Sequence, residues 1–288
     1  MQTLLFYGKP LSLNRDLHRN TRLKAESGNF TFATNTNSVP LAAIEFVDTS
    51  REYPIVFTGE EGGAMFPAAL LGVRHNENLF VSEEGGWDAR YVPAFVRRYP
   101  FVLAEKQAGD DFDVFIDESY GGFDAEDGER LFTDEGEDTP LLKQALDFLS
   151  NYQGEIKRTR DFVAKLQELD LLIPKTLQIE HSNEGPLVLK GFSVVDEPRL
   201  VALTDAQLGE LVRIGYMGWI YSHLLSLGQV SLLSERLGVK IDATKKEGSS
   251  EKETNKEKVL ANGKGSSEKE TTKGKASANG KGSSRAAN

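Results

Sequence analysis

No cysteine occurs in the 288-residue chain, which excludes disulfides, thiolate metal sites and a cysteine nucleophile. Histidine is scarce too: His18, His75, His181 and His223 are the only imidazoles. There is no Gly-x-Ser-x-Gly elbow and no motif tying a histidine to a serine, so no catalytic triad is named. Phosphate-loop spacing and the glycine fingerprint of a dinucleotide fold are both absent, which removes a flavin-binding halogenase activity. The longest stretch without Asp, Glu, Lys or Arg runs from Ile214 to Ser234. Its 21 residues could reach across a bilayer, but Gly215, Gly218, Ser222, His223, Ser226, Gly228, Gln229, Ser231 and Ser234 interrupt it. It reads as buried or docked helix, with no membrane span.

Positive charge is also in deficit. There are 34 Lys plus Arg against 44 Asp plus Glu, a net charge of −10. A general nucleic-acid binder needs a basic footprint to neutralise phosphates, so nucleic acid is not an expected partner. The deficit is uneven. Residues Ala243 to Asn288 hold eleven Lys plus Arg and six Glu, a net of +5, which leaves −15 for everything upstream. That tail has no aromatic residue, and only Val259 and Leu260 are large and apolar. It cannot bury enough surface to offset its ordering entropy. Gly-Ser-Ser-Glu-Lys-Glu-Thr at Gly248 recurs at Gly265, and Ala-Asn-Gly-Lys-Gly-Ser-Ser at Ala261 recurs at Ala278; both periods are 17 residues. With no apolar face for stacking, this is low-complexity expansion and not a solenoid. The expected organisation is a globular domain over residues 1–242 and a disordered Lys/Glu/Gly/Ser-rich tail over 243–288. The first residues carry a short apolar strand, Thr3 to Tyr7, with no basic leader or cleavage site, so no secretory signal is expected and the cytoplasm is the expected location.

Upstream of the tail, strand signals crowd the first half and helix signals the second. Thr3–Tyr7, Phe30–Ala33, Pro54–Thr58, Ala68–Val73, Asn78–Ser82, Phe101–Glu105 and Phe112–Asp117 read as strands separated by Gly, Asn and Asp, which suggests an antiparallel meander. Thr139 is a natural N-cap with Pro140 at the first helical position, and Leu141, Leu142, Ala145, Leu146 and Leu149 follow at helical spacing. That predicts one helix to about Tyr152 and a second from about Glu155 to Leu171, ended by Pro174. Thr176–Glu180 and Pro186–Val195 read as a late hairpin about His181–Gly185, and Thr204 with Gln207 as a capping box. The fold class is α+β: an antiparallel, strand-rich N-terminal half, helices mainly in the C-terminal half, and a disordered tail.

The order of short motifs adds a family likeness. Pro10-Leu11-Ser12-Leu13-Asn14 with His18 is followed by Phe30-Thr31-Phe32-Ala33, Val39-Pro40-Leu41, Glu45-Phe46, Tyr53-Pro54-Ile55-Val56-Phe57 and Asn78-Leu79-Phe80-Val81. Gly86-Trp87 and the long string Tyr91 to Leu103 come next, then Leu131-Phe132, Thr139-Pro140-Leu141, Gly191-Phe192 and Leu224 to Leu227. Over about Met1 to Leu237 the chain resembles the bacterial SapC family, the surface-layer-associated type and not the peptide-transporter permease of the same name. The resemblance brings no established reaction. It implies association with a surface layer, and partners among TonB-dependent receptors, tryptophan halogenases and cupin-like proteins. The expected role is therefore accessory binding or recognition in envelope-substrate uptake or tailoring. The alternatives are an enzyme modifying a peptide, amino-acid or glycan substrate, and a surface-layer component.

Candidate chemistry is sparse. His75-Asn76-Glu77 has the spacing of two iron ligands, but between two strands it reads as a polar turn. The acidic residues Asp110, Asp111, Asp113, Asp117, Glu118, Asp124, Glu126, Asp127 and Glu129 miss the calcium-loop register: counted from Asp124, Gly128 is fifth, not sixth. They read as a solvated loop, and neither metal nor cofactor is assigned. The strongest cluster is Trp87, Arg97, Arg98 and Tyr99. An indole offers a stacking face and an arginine fork grips carboxylate or phosphate, so these four are the ligand-binding candidates.

Overall fold

A computed structural model describes residues 5–24, 28–59, 63–105, 112–179 and 185–238. The 243–288 tail, the turn residues 181–184, and Asp110 and Asp111 lie outside the described residues, as do residues 1–4 of the first expected strand. Residues 5–9 hold no strand, and pairing begins later, with β1 (Pro10–Ser12), then β2 (Arg22–Leu23), β3 (Ser38–Pro40), β4 (Ile55–Gly59), β5 (Met65–Leu70), β6 (Phe101–Glu105), β7 (Phe112–Asp117) and β8 (Glu129–Arg130). Short helices α1 (Phe46–Thr49) and α2 (Ala94–Arg97) interrupt this half. The second half is α3 (Pro140–Glu168), β9 (Leu172–Ile179), β10 (Leu187–Val195), α4 (Glu197–Val201), α5 (Asp205–Arg213), α6 (Tyr216–Ser226) and a helix over residues 230–238. The class is α+β.

Among the described residues the strands form three antiparallel sheets, ordered β3-β5-β4-β10-β9, β1-β7-β6 and β2-β8. A simple meander is therefore too simple a description. Only β4–β5, β6–β7 and β9–β10 pair in consecutive order, and β10 closes onto β4 through Phe192 opposite Thr58 and Ser193 opposite Phe57. A β-bulge between Leu189 and Phe192 carries Gly191 at φ +85°, a conformation that favours glycine.

Two expected strands are not strands, for one shared reason. Asn29 Oδ1 accepts from the Thr31 amide at 3.1 Å and from its hydroxyl at 2.9 Å, and the chain turns into a 3-10 helix over Thr31–Ala33. Asn78 Oδ1 likewise accepts from the Phe80 amide at 2.9 Å, while its Nδ2 donates to the Ala33 carbonyl. Local side-chain bonds of this type compete with a strand ladder.

The two helices expected either side of Gly154 are one 29-residue helix, capped by the Thr139 hydroxyl as its composition suggests. Leu142, Leu149, Tyr152, Thr159, Phe162, Val163 and Leu166 are buried on both sides of Gly154 in one helical phase, so tertiary packing overrides the roughly 1 kcal/mol glycine penalty. The helix ends before Pro174, which lies in β9. Thr204 and Gln207 do form a capping box, opening α5.

Phe46, Tyr53, Phe57, Phe80 and Phe162 are fully buried around the five-stranded sheet. A second cluster, Leu23, Phe101, Ile116, Leu131, Phe132, Leu142 and Leu149, fills the space between α3 and the three-stranded sheet. Side chains from α6 finish the larger sheet: Ser226 Oγ accepts from the Ile55 amide at 2.9 Å and His223 Nε2 accepts from the Val195 amide at 3.0 Å. No described helix is long and apolar enough to cross a membrane.

Candidate functional site

Residues Val96 to Phe101 of the Tyr91 to Leu103 string build one wall of a cavity of about 410 Å³, and the first half of α3 builds another. Pro93 opens α2, Arg97 ends it, and the cis Tyr99–Pro100 bond leads into β6. That path places Arg97, Arg98 and Tyr99 side by side on the lining, facing Leu141, Ala145 and Phe148 of α3. Phe30, Phe32, Phe101 and Tyr120 complete an aromatic enclosure.

Arg97 is exposed and held in a fixed pose. Its Nε donates to the Val92 carbonyl at 2.9 Å, its Nη2 reaches the Tyr91 hydroxyl at 3.4 Å, and its Cζ lies 5.3 Å from the Phe148 ring centre. Arg98 is half-buried. Its Cζ lies 3.9 Å over the Phe95 ring, and its buried Nε has no hydrogen-bond partner among the described residues. Neither arginine is ion-paired among the described residues, although the chain carries an excess of carboxylates. Tyr99 stacks on Phe32 at 4.0 Å with 20° between planes and donates its hydroxyl to Asp117 Oδ2 at 3.0 Å. Burial, with the Asp117 charge beside it, raises the Tyr99 pKa and keeps that proton in place.

Trp87 is not part of this lining. It borders a separate cavity of about 780 Å³ with Arg90, Asp88 and Arg236, where Arg236 pairs with Asp88 at 2.6 Å. Its indole N–H donates to the Tyr53 hydroxyl at 2.7 Å. Its ring meets the arginine cavity only through Phe30, edge-on at 5.5 Å. Three of the four candidates therefore converge and the fourth stands behind them.

Two carboxylates that sequence reasoning did not single out as site-building residues hold the walls. Glu45, 4% exposed, accepts from the Ala42 amide at 2.8 Å, the Ala94 amide at 2.7 Å and the Tyr91 hydroxyl at 2.8 Å, which ties α2 to the segment before α1. Burial pushes its carboxyl up, against those hydrogen bonds and the nearby Arg97 charge. Asp117, taken from sequence as part of a solvated acidic run, is 1% exposed. It accepts from the Gly8, Lys9 and Ser119 amides and from the Ser119 and Tyr99 hydroxyls. Burial opposes its ionisation, but the bonds from Ser119, Lys9 and Gly8 outweigh it and hold the carboxyl below the usual range. Asp-x-Ser at a strand end is an Asx-turn signature and was the available signal. Glu45 is marked in the sequence only by the Glu45-Phe46 motif of the family likeness, which assigns it no role.

The remaining candidates stay apart. His75 sits in a tight turn with Asn76 at φ +57°, and the Glu77 carboxylate accepts from the Arg74 amide and side chain. No cluster of three or more metal-ligating side chains occurs among the described residues.

With this geometry in place, comparison with known proteins returns one family. The SapC family model matches residues 13–233, more than half of the chain. The chain belongs to the SapC family. No curated protein and no solved structure matches it. Within the SapC match lie both carboxylate anchors, both cavity walls and α6.

Proposed function

We propose that this SapC-family protein is a binding and recognition protein, accessory to envelope-substrate uptake or tailoring, which holds a small organic ligand at Arg97, Arg98 and Tyr99. The reading rests on the chemistry of one cavity wall: two arginines with no ion-pair partner among the described residues stand among aromatic rings, and the described lining, whose other polar side chains are Asn29, Tyr99, Tyr120 and Gln144, contains no Asp, Glu, His, Lys, Ser or Thr. Such a wall can attract, orient and desolvate a ligand. It offers little to move a proton, because guanidinium stays charged and the Tyr99 proton is committed to Asp117. Binding is therefore favoured over modification of a peptide, amino acid or glycan. TonB-dependent receptors, halogenases and cupin-like proteins enter this reading as the proteins that would deliver or receive the ligand.

The test is purification of the intact protein from its source cells, beside an Arg97→Ala/Arg98→Ala variant, with mass spectrometry of bound small molecules and proteins. A small molecule carried by the native protein and lost from a folded variant supports the reading. A native protein that carries none, with protein partners unaffected by the variant, overturns it.

A further inference from the structure

The ligand class can be narrowed from the same wall, on the footing of the binding role proposed above. Aromatic faces dominate it. Phe32 and Tyr99 present a stacked pair, and Phe30 leans on Phe32 with ring centres 6.2 Å apart. Planar rings prefer offset-stacked or edge-on aromatic partners over flexible chains of equal area, since the ring quadrupoles add to the apolar burial.

The two guanidinium groups are oriented by rings and not by carboxylates. Arg97 lies between the Tyr91 ring, 5.6 Å from its Cζ, and the Phe148 ring at 5.3 Å. With Nε and Nη2 already donating, its Nη1 has no partner among the described residues. Arg98 Cζ lies 3.9 Å from the centre of the Phe95 ring, and its buried Nε has no acceptor among the described residues. Aromatic rings flank both cations, and the Arg97 Nη1 edge is left to a ligand, where a carboxylate accepts hydrogen bonds from a guanidinium fork. Phosphate fits less well. Among the described residues the lining has one glycine, Gly28, and no glycine-rich loop at a helix N-terminus of the kind that cradles phosphate. A cavity of about 410 Å³ suits a ligand of one or two fused rings.

We infer that this cavity takes a small aromatic carboxylate, its ring against Phe32 and Tyr99 and its carboxylate at Arg97 and Arg98. The anionic group supplies orientation, and the ring supplies most of the buried area.

Calorimetric titration of the full chain with four probes tests this: 2-naphthylacetate, its neutral isostere 2-naphthylacetamide, decanoate and inorganic phosphate. Naphthylacetate is expected to bind at least tenfold more tightly than each of the others. Arg97→Gln, at an exposed position, is expected to lower that affinity at least tenfold with an unchanged melting temperature, and Phe148→Ala to lower it severalfold. These two variants keep the test decisive if Arg98→Gln fails to fold. Equal binding of the neutral amide, or undiminished binding by Arg97→Gln, overturns the carboxylate assignment and leaves a binding role standing. Tighter binding of decanoate or phosphate overturns the aromatic assignment in the same way. Failure of all four probes overturns the aromatic-carboxylate assignment, while the binding role itself stands or falls on whether the native protein carries a small molecule that the double variant loses.

Discussion

The Tyr91 hydroxyl donates to Oε1 of the buried Glu45 at 2.8 Å, so the ring that packs against Arg97 is held by a carboxylate 46 positions earlier in the chain. The same carboxylate takes the Ala42 and Ala94 amides, and the start of α2 has no other side-chain cap. Glu45→Ala leaves two buried amides without acceptors and is expected to cost about 4 kcal/mol, at 1–3 kcal/mol for each orphaned donor with the remainder from lost packing. Tyr91→Phe keeps both amide bonds and is expected to cost about 1 kcal/mol. Urea unfolding of the two variants measures the difference, and equal losses would contradict the assigned hierarchy.

His223 makes stability depend on pH in a definite direction. It is fully buried beside Phe57, and because its Nε2 accepts from the Val195 amide, its proton sits on Nδ1. Burial lowers its pKa from 6.5 to about 4. The unfolded chain therefore binds this proton first as pH falls. The contribution is complete above about pH 6.5 and is lost progressively toward pH 4, a span of about 3 kcal/mol. Unfolding curves at pH 7.5 and 4.5 should separate by about that much in the native chain and clearly less in His223→Gln, whose amide oxygen can still accept from Val195.

Asp117 fastens the N-terminal segment to the end of β7. Asp117→Ala removes acceptors from Gly8, Lys9, Ser119 and Tyr99 together and is expected to cost about 3 kcal/mol. Because its folded pKa is depressed, its contribution is present above the unfolded carboxylate range and fades as pH falls through the folded value. Hydrogen exchange should quicken first at Lys9 to Leu13, whose pairing with β7 begins at Pro10 opposite Asp117. Unchanged protection there would mean that the β1–β7 ladder holds on its own.

Gly72 is required by close approach. A Cβ at this position would lie 2.1 Å from the Glu77 carbonyl oxygen, and backbone cannot swing aside as a long side chain can. Gly72→Ala is expected to cost about 2 kcal/mol through local displacement of the 72–78 turn, read as a lower urea midpoint at unchanged slope.

Much of this architecture was legible because it rests on local signals. Thr139 and Pro140 announce α3, Thr204 and Gln207 announce α5, and the hydrophobic runs at β4, β6 and β7 read directly as strands. Failure occurred where a side chain bonds to its own backbone: Asn29 and Asn78 convert two apolar runs into turns that a periodicity count takes for strands. It also occurred at Gly154, where burial on both sides of one glycine outweighs a local breaking tendency. For the site, Arg97, Arg98 and Tyr99 were legible as a contiguous string. Phe32 and Phe148 were not, because their convergence depends on how α3 crosses the sheets. The chemistry of a stacking indole groups Trp87 with the arginines in the sequence, whereas in the structure Trp87 borders a different cavity and meets Phe30 edge-on.

The dependence of the central sheet on α6 bears on how the chain is made. The Ile55 and Val195 amides find their acceptors on Ser226 and His223, and the first of these pairs spans 171 positions. On the ribosome, β4 emerges long before its acceptor exists, and β4 also waits for β10 as its neighbour. Nascent chains that end before Ser226 therefore lack an acceptor for the Ile55 amide and hold an incomplete sheet, a state prone to edge pairing between neighbouring chains. Completion of the five-stranded sheet waits for α6, whose side chains seal a strand synthesised well before them.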